Sequence, residues 1–251
     1  MLVLHWHIFD SLADGLNITL PDDAHVIDAT PGGDGEPWRR LVALYEPVAA
    51  AVAAAATPPV VLSGDCVTPL AVLAGVQRRN IDPALVWFDA HGDFHTEQST
   101  TSGYLGGLPL AKAVGRGDMT LPTALGLTPV AEERVLLVDA RDLDPGEITA
   151  LAASSVRRST VQNAVDALPE GPLHLHIDVD VLDAALLPGL RFPVANGPDL
   201  AVLSAAVRQI VNSRELVGLS VAATWRPADS NRARNDAAVT TILAAVSGVV
   251  S

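Results

Sequence analysis

The sequence is poor in cysteine and in basic residues. Its one cysteine, Cys66, has no partner for an internal disulfide, and a lone cysteine is most often a small buried apolar residue. Sixteen basic residues stand against 29 acidic ones, and the formal charge of −13 opposes binding to phosphate backbones or anionic lipid. The balance disfavours a nucleic-acid or membrane-surface role, and the acidic residues are available to gather metal instead.

Long apolar runs are also missing, and we expect the N-terminus to be a strand and not a leader segment. No apolar stretch approaches the roughly 20 residues that cross a bilayer. The N-terminus, "MLVLHWHIFD", has no basic region, and its apolar run is broken by His5, His7 and Asp10, so we interpret it as a strand. We expect a cytoplasmic protein, with residues 1–251 forming a single domain, because 251 residues suit one substantial core.

Short, nearly continuous apolar runs alternate with helix-like stretches along the chain. The runs are "LVLHWHIF", "AHVIDA", "PVVLSGD", "ALVWFDAHGD", "RVLLVDARD", "LHLHIDVDVLD" and "LVGLSVAAT". Because they do not alternate polar with apolar residues, both faces are expected to be covered, as in a parallel sheet. Helix-like stretches lie at 37–56, 68–79, 106–116, about 145–153, about 161–168, 198–213 and 234–250. The alternation predicts an α/β fold with right-handed crossovers.

Acidic residues stand where four of these runs stop, which is where an open parallel sheet places its ligand site. An extended backbone would send Asp89, His91 and Asp93 to one side, and the same holds for Asp178 and Asp180. The full set is Asp65; Asp89, His91 and Asp93; Asp139, Asp142 and Asp144; and Asp178, Asp180 and Asp183.

Ligand-type groups facing one cleft would repel one another unless cations lay between them. Oxygen donors with one imidazole suit Mn²⁺ or a similar divalent ion, and two metals sharing carboxylates are the natural arrangement. For either motif alone, the alternative is a set of acids that cap turns or helices at strand ends. The two clusters together favour the metal site.

Four ordered motifs, spread over nearly the whole chain, resemble those of the arginase and agmatinase ureohydrolases. "SGDCV" resembles G-G-D-H-S, "FDAHGDFHT" resembles D-A-H-x-D, "RDLDPGE" resembles R-D-V-D-P-G-E, and "IDVDVLDAALLPG" resembles S-x-D-x-D-x-x-D-P-x-x-x-P-G. The resemblance implies a single-domain, three-layer αβα arginase-like fold with a doubly wound, mainly parallel sheet. It also implies a centre of two Mn²⁺ ions.

Metal-ligand roles follow from the resemblance position by position. Asp89 and Asp178 would bridge the two metals. Asp93 would complete the carboxylates of the first metal, while His91 and Asp180 would serve the second.

Cys66 stands where the family supplies a histidine to the first metal. We therefore expect its thiol to be a metal ligand, because a coordinated metal deprotonates a thiol. Two alternatives remain: Zn²⁺ or Fe²⁺ in this softer site, or a buried structural cysteine beside a weakly held or absent first metal.

The implied chemistry is attack of a metal-bridging hydroxide on a guanidine carbon, with Asp93 accepting a proton and later delivering it. The family's proton-shuttling histidine falls at Gly106 in "SGYLGG", and its asparagine falls at Tyr104. His95 stands where arginases have an asparagine that contacts substrate. It is a candidate to compensate for the missing histidine, the alternative being a solvated loop residue.

The two ends of the substrate site depart unequally from the family pattern. The glutamate that holds the guanidinium in arginases becomes Thr224 in "AATWRP", or Ala223 if the gap is placed differently. No carboxylate occurs between Glu215 and Asp229. Asp144 and Glu147 match positions that receive the substrate α-amino group in arginases. Ser102 matches a residue that contacts the α-amino-acid end of the substrate, called the amino-acid head below. A capping turn is the alternative for Asp144 and Glu147.

The residues for the amino-acid head match the arginase pattern, whereas the guanidine end of the site has lost a carboxylate. This combination predicts a substrate with an arginine skeleton whose guanidine group is less basic than that of arginine. Nω-hydroxy-L-arginine, cleaved to L-ornithine and hydroxyurea, is the expected substrate, and the hydroxyarginine-hydrolysing relatives are what the chain most resembles. One alternative is hydrolysis of arginine or of another amidine, such as a formimidoyl compound. The other is a non-catalytic metal-binding relative.

The expected partner is this small amino-acid substrate, with no nucleic acid and no membrane. Arginases often assemble through an extension after the last helix. This chain ends at "LAAVSGVVS", which favours a monomer.

Overall fold

Eight parallel strands form one sheet in the computed structural model, which describes residues 1–4, 16–226 and 231–247. The strands are β1 (Leu2–Leu4), β2 (His25–Ile27), β3 (Val60–Ser63), β4 (Ala84–Asp89), β5 (Val135–Asp139), β6 (Arg157–Ser159), β7 (Leu173–Asp178) and β8 (Leu216–Ala222). Their order across the sheet is β2-β1-β3-β8-β7-β4-β5-β6, and every neighbouring pair is parallel.

Helices cover both faces of the sheet, so each face has its own buried apolar layer. Helices α1 and α2 pack in one layer, and α6 and α7 pack in the other. The helices are α1 (Pro37–Ala54), α2 (Thr68–Arg78), α3 (Pro109–Ala113), α4 (Thr120–Ala124), α5 (Pro145–Ala152), α6 (Leu200–Ser213) and α7 (Arg232–Val246). The three layers confirm the predicted α/β fold.

The central strands are apolar along their whole length because both of their faces are covered. Every residue of β4 and of β7 is buried, from Ala84 to Asp89 and from Leu173 to Asp178. Helix α1 begins at Pro37, and the Glu36 carboxylate accepts the backbone N–H groups of Trp38 and Arg39. This cap satisfies donors that the first turn of a helix leaves unpaired.

Two predicted helices are wrong in extent. The stretch 161–168 contains only a 3₁₀ turn at Ala164–Ala167, because Pro169 disfavours helical backbone at the residue before it. The stretch 106–116 contains a 3₁₀ turn, Leu105–Gly107, followed by the short helix α3. The two are separate because Gly106 and Gly107 disfavour a continuous helix and Pro109 begins a new one. Helix α7 agrees with the prediction as far as Val246, and residues 248–250 lie outside the described chain.

Two elements escaped the sequence analysis. Helix α4 is one short turn, and β6 is a polar edge strand, "RRS", with no apolar signal. For the predicted N-terminal strand, only β1 is described, and residues 5–9 lie outside the described chain. Within the described ranges, no helix combines the length and the apolar character needed to cross a membrane.

The middle of the sheet positions the candidate site. Strands β3, β8, β7 and β4 are consecutive neighbours, and the chain leaves all four at the same edge because they are parallel. Just beyond their carboxyl ends stand Cys66, Thr224, Asp180 and His91.

Candidate metal centre and active site

A cavity of about 260 Å³ opens at this edge of the sheet. All twelve predicted site residues line it: Cys66, Asp89, His91, Asp93, His95, Ser102, Tyr104, Asp144, Glu147, Asp178, Asp180 and Thr224. Phe192 also lines it, and the sequence analysis did not identify that residue. Four motifs far apart in the chain therefore meet at one place.

The Asp89, His91 and Asp93 side chains do not converge by strand alternation, and that part of the prediction is wrong. Strand β4 ends at Asp89, so His91 and Asp93 lie in the loop that follows. Asp93 has a left-handed backbone, with φ of 48°, which few residues other than glycine adopt without strain. Strand β7 likewise ends at Asp178, and Asp180 lies in the 3₁₀ turn Val179–Val181.

Cys66 is positioned by Asp65, the residue before it. One Asp65 carboxylate oxygen accepts the Tyr45 hydroxyl at 2.7 Å and the backbone N–H of Val67 at 2.8 Å. This oxygen also accepts the N–H of Thr68 at 3.2 Å, at the start of α2. The buried carboxylate thus fixes the turn that presents the Cys66 thiol to the cavity.

Two overlapping groups of candidate metal ligands share Asp89. In the first, ligand atoms of Cys66, Asp89 and Asp93 lie within 4.8 Å of one another, and the second joins Asp89 to His91 and Asp180 at the same spacing. Asp178 lies beside the first group, where its Oδ2 accepts the Cys66 thiol at 2.8 Å. A residue common to both groups is placed as a bridging ligand would be.

His91 lies between two carboxylates of the second group. Its Nδ1 is 3.1 Å from Asp180 Oδ2 and 3.3 Å from Asp89 Oδ1. Burial disfavours the imidazolium, but hydrogen bonds to Asp180 and Asp89 outweigh burial and raise the pKa of His91 to about 12. Burial opposes ionisation of Asp89 as well, yet the bonds from His91 lower its pKa to about 2.

The remaining acids of the cluster are held in an unfavourable electrostatic environment. Burial, and then the Asp89 charge, raise the pKa of Asp93 well above its ordinary value, and burial and Asp180 do the same for the pKa of Asp178. Burial and the Asp89 charge raise the pKa of Asp180 to about 6. Asp93 Oδ2 is buried without a hydrogen-bond partner among the described residues.

These properties fit a divalent metal centre. Crowded buried carboxylates favour protonation when only protein surrounds them, and cations relieve the same repulsion without protons. One thiol, one imidazole and four carboxylates are donors that divalent metals accept.

Beyond the candidate metal ligands, one side of the cavity is formed by His95, Asp144 and Glu147. His95 Nε2 is 3.1 Å from Asp144 Oδ2, and His95 Nδ1 is 3.0 Å from Ser99 Oγ. Glu147 accepts the backbone N–H of Phe94 at 3.0 Å and that of Asp144 at 3.1 Å. Asp144 and Glu147 lie at the start of α5, where they form a capping box, as the alternative interpretation of these residues predicted. The same two side chains also line the cavity.

Thr224 and Tyr104 occupy other walls of the cavity. Thr224 follows β8, and its hydroxyl donates to the Gly64 carbonyl at 2.6 Å. The Tyr104 ring packs on Phe192, with ring centroids 5.0 Å apart. Phe192 arrives on the loop after β7, where Leu190 forms an antiparallel bridge with Trp225. Its only sequence signal was the Pro-Gly turn in "LPGLRF".

Several known proteins are similar to this chain in sequence or in fold. A family model described as the arginase family matches residues 11–248. Nω-hydroxy-L-arginine amidinohydrolase of Streptomyces lavendulae is 35% identical over 185 residues, which are 72% of this chain and 65% of that protein. Arginase of Bacillus caldovelox is 32% identical over 179 residues, 63% of this chain and 60% of that enzyme.

The chain therefore spans less than two thirds of the length of these two curated relatives. Among solved structures, arginase from Bacillus subtilis subsp. subtilis str. 168 superposes with a TM-score of 0.78 at 25% identity. The superposition covers 88% of this chain and 83% of that enzyme.

Proposed function

This chain belongs to the arginase family, and we propose that it is a two-metal hydrolase that cleaves Nω-hydroxy-L-arginine to L-ornithine and hydroxyurea. One domain would carry both the metal centre and the substrate site, because the four strands that end at the cavity belong to one sheet.

Six residues would hold two Mn²⁺ ions. Cys66 and Asp93 would bind the first ion, His91 and Asp180 would bind the second, and Asp89 and Asp178 would bridge them. Two bound divalent ions supply Lewis acidity, and they lower the pKa of a water molecule so that it is nucleophilic near neutral pH. The overlap of the two ligand groups at Asp89 supports this assignment.

Asp93 is the proposed proton acceptor for the attacking water. Its Oδ2 is buried and has no partner among the described residues, so the atom is available to take a proton. A carboxylate oxygen in this position can hold that proton and later release it.

Asp144, Glu147, His95 and Ser102 would receive the amino-acid head. The two carboxylates offer negative charge to an α-ammonium group, and the His95 ring lies 3.1 Å from Asp144, where it can hold that carboxylate in place. His95 therefore serves in this proposal as a head-group residue as well as the compensating histidine considered from the sequence.

The observation that carries the choice of substrate is the contrast between the two ends of the cavity. Asp144 follows β5, whereas Thr224 follows β8, which is three strand spacings or about 14 Å away across the sheet. Thr224 brings a hydroxyl, already bonded to Gly64, where a carboxylate would balance a guanidinium charge. An N-hydroxyguanidine is less basic than a guanidine, so it needs less compensation at that end.

Arginine is the second candidate, because arginases from several organisms share about a third of the aligned residues. The Mn²⁺-loaded protein is assayed for ornithine release with each substrate separately, at matched concentrations. We expect ornithine and hydroxyurea in equal amounts from Nω-hydroxy-L-arginine, and slow urea release from L-arginine. Faster cleavage of arginine would make the protein an arginase.

A matched pair of variants ties the activity to the cavity. Asp180→Asn removes a proposed metal ligand, and activity should fall to background. Asp199→Asn changes the same functional group at the N-terminus of α6, where asparagine also caps a helix, and should retain activity. A wild-type protein that binds two metals and cleaves neither these substrates nor other amidines would be a non-catalytic metal-binding relative.

A further inference from the structure

The loop that follows β4 carries the candidate ligand Asp93 and the proposed head residues His95 and Ser102. Within this loop, residues 96–103, "TEQSTTSG", include no hydrophobic residue, and most of them are exposed to solvent. Because apolar burial does not hold this stretch in place, its position depends on polar contacts.

Glu97 anchors the stretch 96–103 to three other parts of the fold. Its Oε1 accepts the Lys112 ammonium group of α3, and it accepts the Trp38 indole N–H of α1 at 2.9 Å. Its Oε2 accepts the backbone N–H of Asp118 at 2.8 Å, in the segment before α4. Among the hydrogen bonds between described residues, no other side chain of this stretch reaches a different element. Glu97 is therefore the side chain that joins the stretch to the rest of the protein.

Lys112 makes this anchor an ion pair. Its side chain is 1% exposed, and its Nζ also donates to the Asp118 carbonyl at 2.6 Å and lies 4.2 Å from the centre of the Trp38 ring. A buried ammonium group needs a compensating charge, which Glu97 supplies. Burial opposes ionisation of Glu97, but the bonds from Lys112 and Asp118 outweigh burial and lower its pKa. The carboxylate is therefore charged at neutral pH.

A continuous set of contacts connects the turn that contains Glu97 with the proposed head site. The Thr96 N–H donates to Ser99 Oγ at 2.9 Å, and the Ser99 N–H donates to the Thr96 carbonyl at 3.0 Å. Ser99 Oγ is 3.0 Å from His95 Nδ1, and His95 Nε2 is 3.1 Å from Asp144 Oδ2. The turn that Glu97 fixes thus holds the imidazole that contacts the Asp144 carboxylate.

We propose that Glu97 is a positioning residue that holds His95 and Asp144 in place for the amino-acid head of the substrate. The inference rests on the proposed function, because it concerns the site that would receive the head of Nω-hydroxy-L-arginine. Glu97 does not line the cavity, so it acts through the loop and not by contact with the substrate. A loop that is already ordered loses less entropy when the substrate binds, and the anchor therefore increases affinity.

Glu97→Gln tests the anchor. All three partners of the carboxylate are donors, so the amide NH₂ group faces a donor whichever way it is turned. KM for Nω-hydroxy-L-arginine and the ornithine dissociation constant should each rise about tenfold, because binding must then order the loop. We expect kcat to stay within about threefold, since the candidate metal ligands are unchanged. Steady-state kinetics and calorimetric titration of the Mn²⁺-loaded protein with ornithine measure these quantities.

Amide hydrogen exchange reports on the loop without any catalysis. The N–H groups of Ser99 and Thr100 both donate to the Thr96 carbonyl at 3.0 Å. In Glu97→Gln, peptides that cover residues 96–103 should exchange at least about tenfold faster than in the wild type. Peptides from β7, in the middle of the sheet, should exchange at the wild-type rate.

A double variant separates positioning from stability. Glu97→Gln leaves the buried Lys112 ammonium without a carboxylate and should lower the melting temperature. Combining Glu97→Gln with Lys112→Met removes the buried charge, so the melting temperature should recover while KM stays raised, because the loop is still not anchored. Glu46→Gln is the matched control: it breaks an ion pair with Arg78, 2.7 Å away between α1 and α2, and should leave KM and loop exchange unchanged.

The outcomes separate the role of Glu97 from the function on which it rests. A wild-type enzyme that cleaves Nω-hydroxy-L-arginine, with Glu97→Gln unchanged in KM and in ornithine affinity, would overturn the positioning role alone. A double variant whose KM returns to the wild-type value together with its melting temperature would do the same.

A wild-type protein that leaves this substrate intact would overturn the proposed function. Ornithine affinity and loop exchange in Glu97→Gln would then still decide the role of Glu97. A wild-type protein that does not bind ornithine would overturn that role as well.

Discussion

The Cys66 thiol donates a hydrogen bond to Asp178 Oδ2 across 2.8 Å, joining the turn before α2 to the end of β7. Burial, and then the charges of Asp178, Asp93 and Asp89, raise the pKa of Cys66 well above its ordinary value. Surrounded only by protein, the sulfur keeps its proton. A divalent cation beside it would reverse that preference, because a coordinating thiol loses its proton.

Cys66→Ala should lower the metal content of the purified protein by about one equivalent per chain, because the first ion loses a ligand while the second keeps His91 and Asp180. Elemental analysis after gel filtration measures the ratio. Ser204→Ala is the control, since its hydroxyl donates to the Leu200 carbonyl within α6, away from the candidate site. Two tightly held ions in Cys66→Ala would show that the thiol is not a ligand.

Metal binding should release protons. His91, with its pKa raised to about 12, carries a proton between Asp89 and Asp180, and the Cys66 thiol carries another. Both must leave before these groups can bind a metal. Calorimetric titration with Mn²⁺ at neutral pH, repeated in buffers of different ionisation enthalpy, counts the protons. At least one proton should be released per chain, and no release in any buffer would contradict this account.

Acid should destabilise the metal-free protein through two buried histidines. Burial, with His176 as a lesser cause, lowers the pKa of His174 to about 3, and burial lowers the pKa of His176 to about 3. The unfolded chain takes up these protons below the ordinary histidine pKa of about 6.5, so the free energy of unfolding falls as the pH drops from about 6.5 towards 3.

His174→Gln isolates one of these contributions, and glutamine can still approach Ser220, which His174 contacts at 2.9 Å. Between pH 7.5 and 5.5, urea unfolding of the variant should show about 1 kcal/mol less loss of stability than the wild type. Asp180, with a pKa raised to about 6, acts in the opposite sense but is common to both proteins. Equal losses would mean that His174 is protonated in the folded state.

Asp144→Asn should weaken binding of the amino-acid head. Because the Asp144 side chain is about 62% exposed, we expect a modest increase in KM and in the ornithine dissociation constant, about five- to tenfold, with kcat nearly unchanged. Asp166→Asn, an exposed acid in a remote turn, is the control. A fall in kcat at constant KM would place Asp144 at the reacting end instead.

The residues proposed as metal ligands could be predicted to lie together because their motifs are local. Asp89, His91 and Asp93 lie within five residues, and strand ends of a parallel sheet meet at one edge. The geometric argument was still wrong beyond Asp89, where β4 ends and a left-handed Asp93 turns the chain. Strand alternation says nothing about such a loop.

The Tyr104 pocket could not be derived in the same way. Gly106 was visible only as a missing histidine, and the close approach of the Tyr104 ring appears only when the turn is folded. Phe192 reaches the cavity through a bridge between Leu190 and Trp225, which are 35 residues apart in the sequence. Contacts of this kind depend on tertiary packing, for which a single sequence has no periodic signal.

The most direct test of the account is a competition assay. The Mn²⁺-loaded protein is given equal concentrations of Nω-hydroxy-L-arginine and L-arginine, and hydroxyurea and urea are measured from the same reaction at low conversion. Their ratio is the ratio of kcat/KM for the two substrates. The account predicts hydroxyurea in at least about 100-fold excess over urea, equivalent to about 2.7 kcal/mol of discrimination. An excess of urea would contradict it, because the end of the cavity at Thr224 would then accept a fully charged guanidinium.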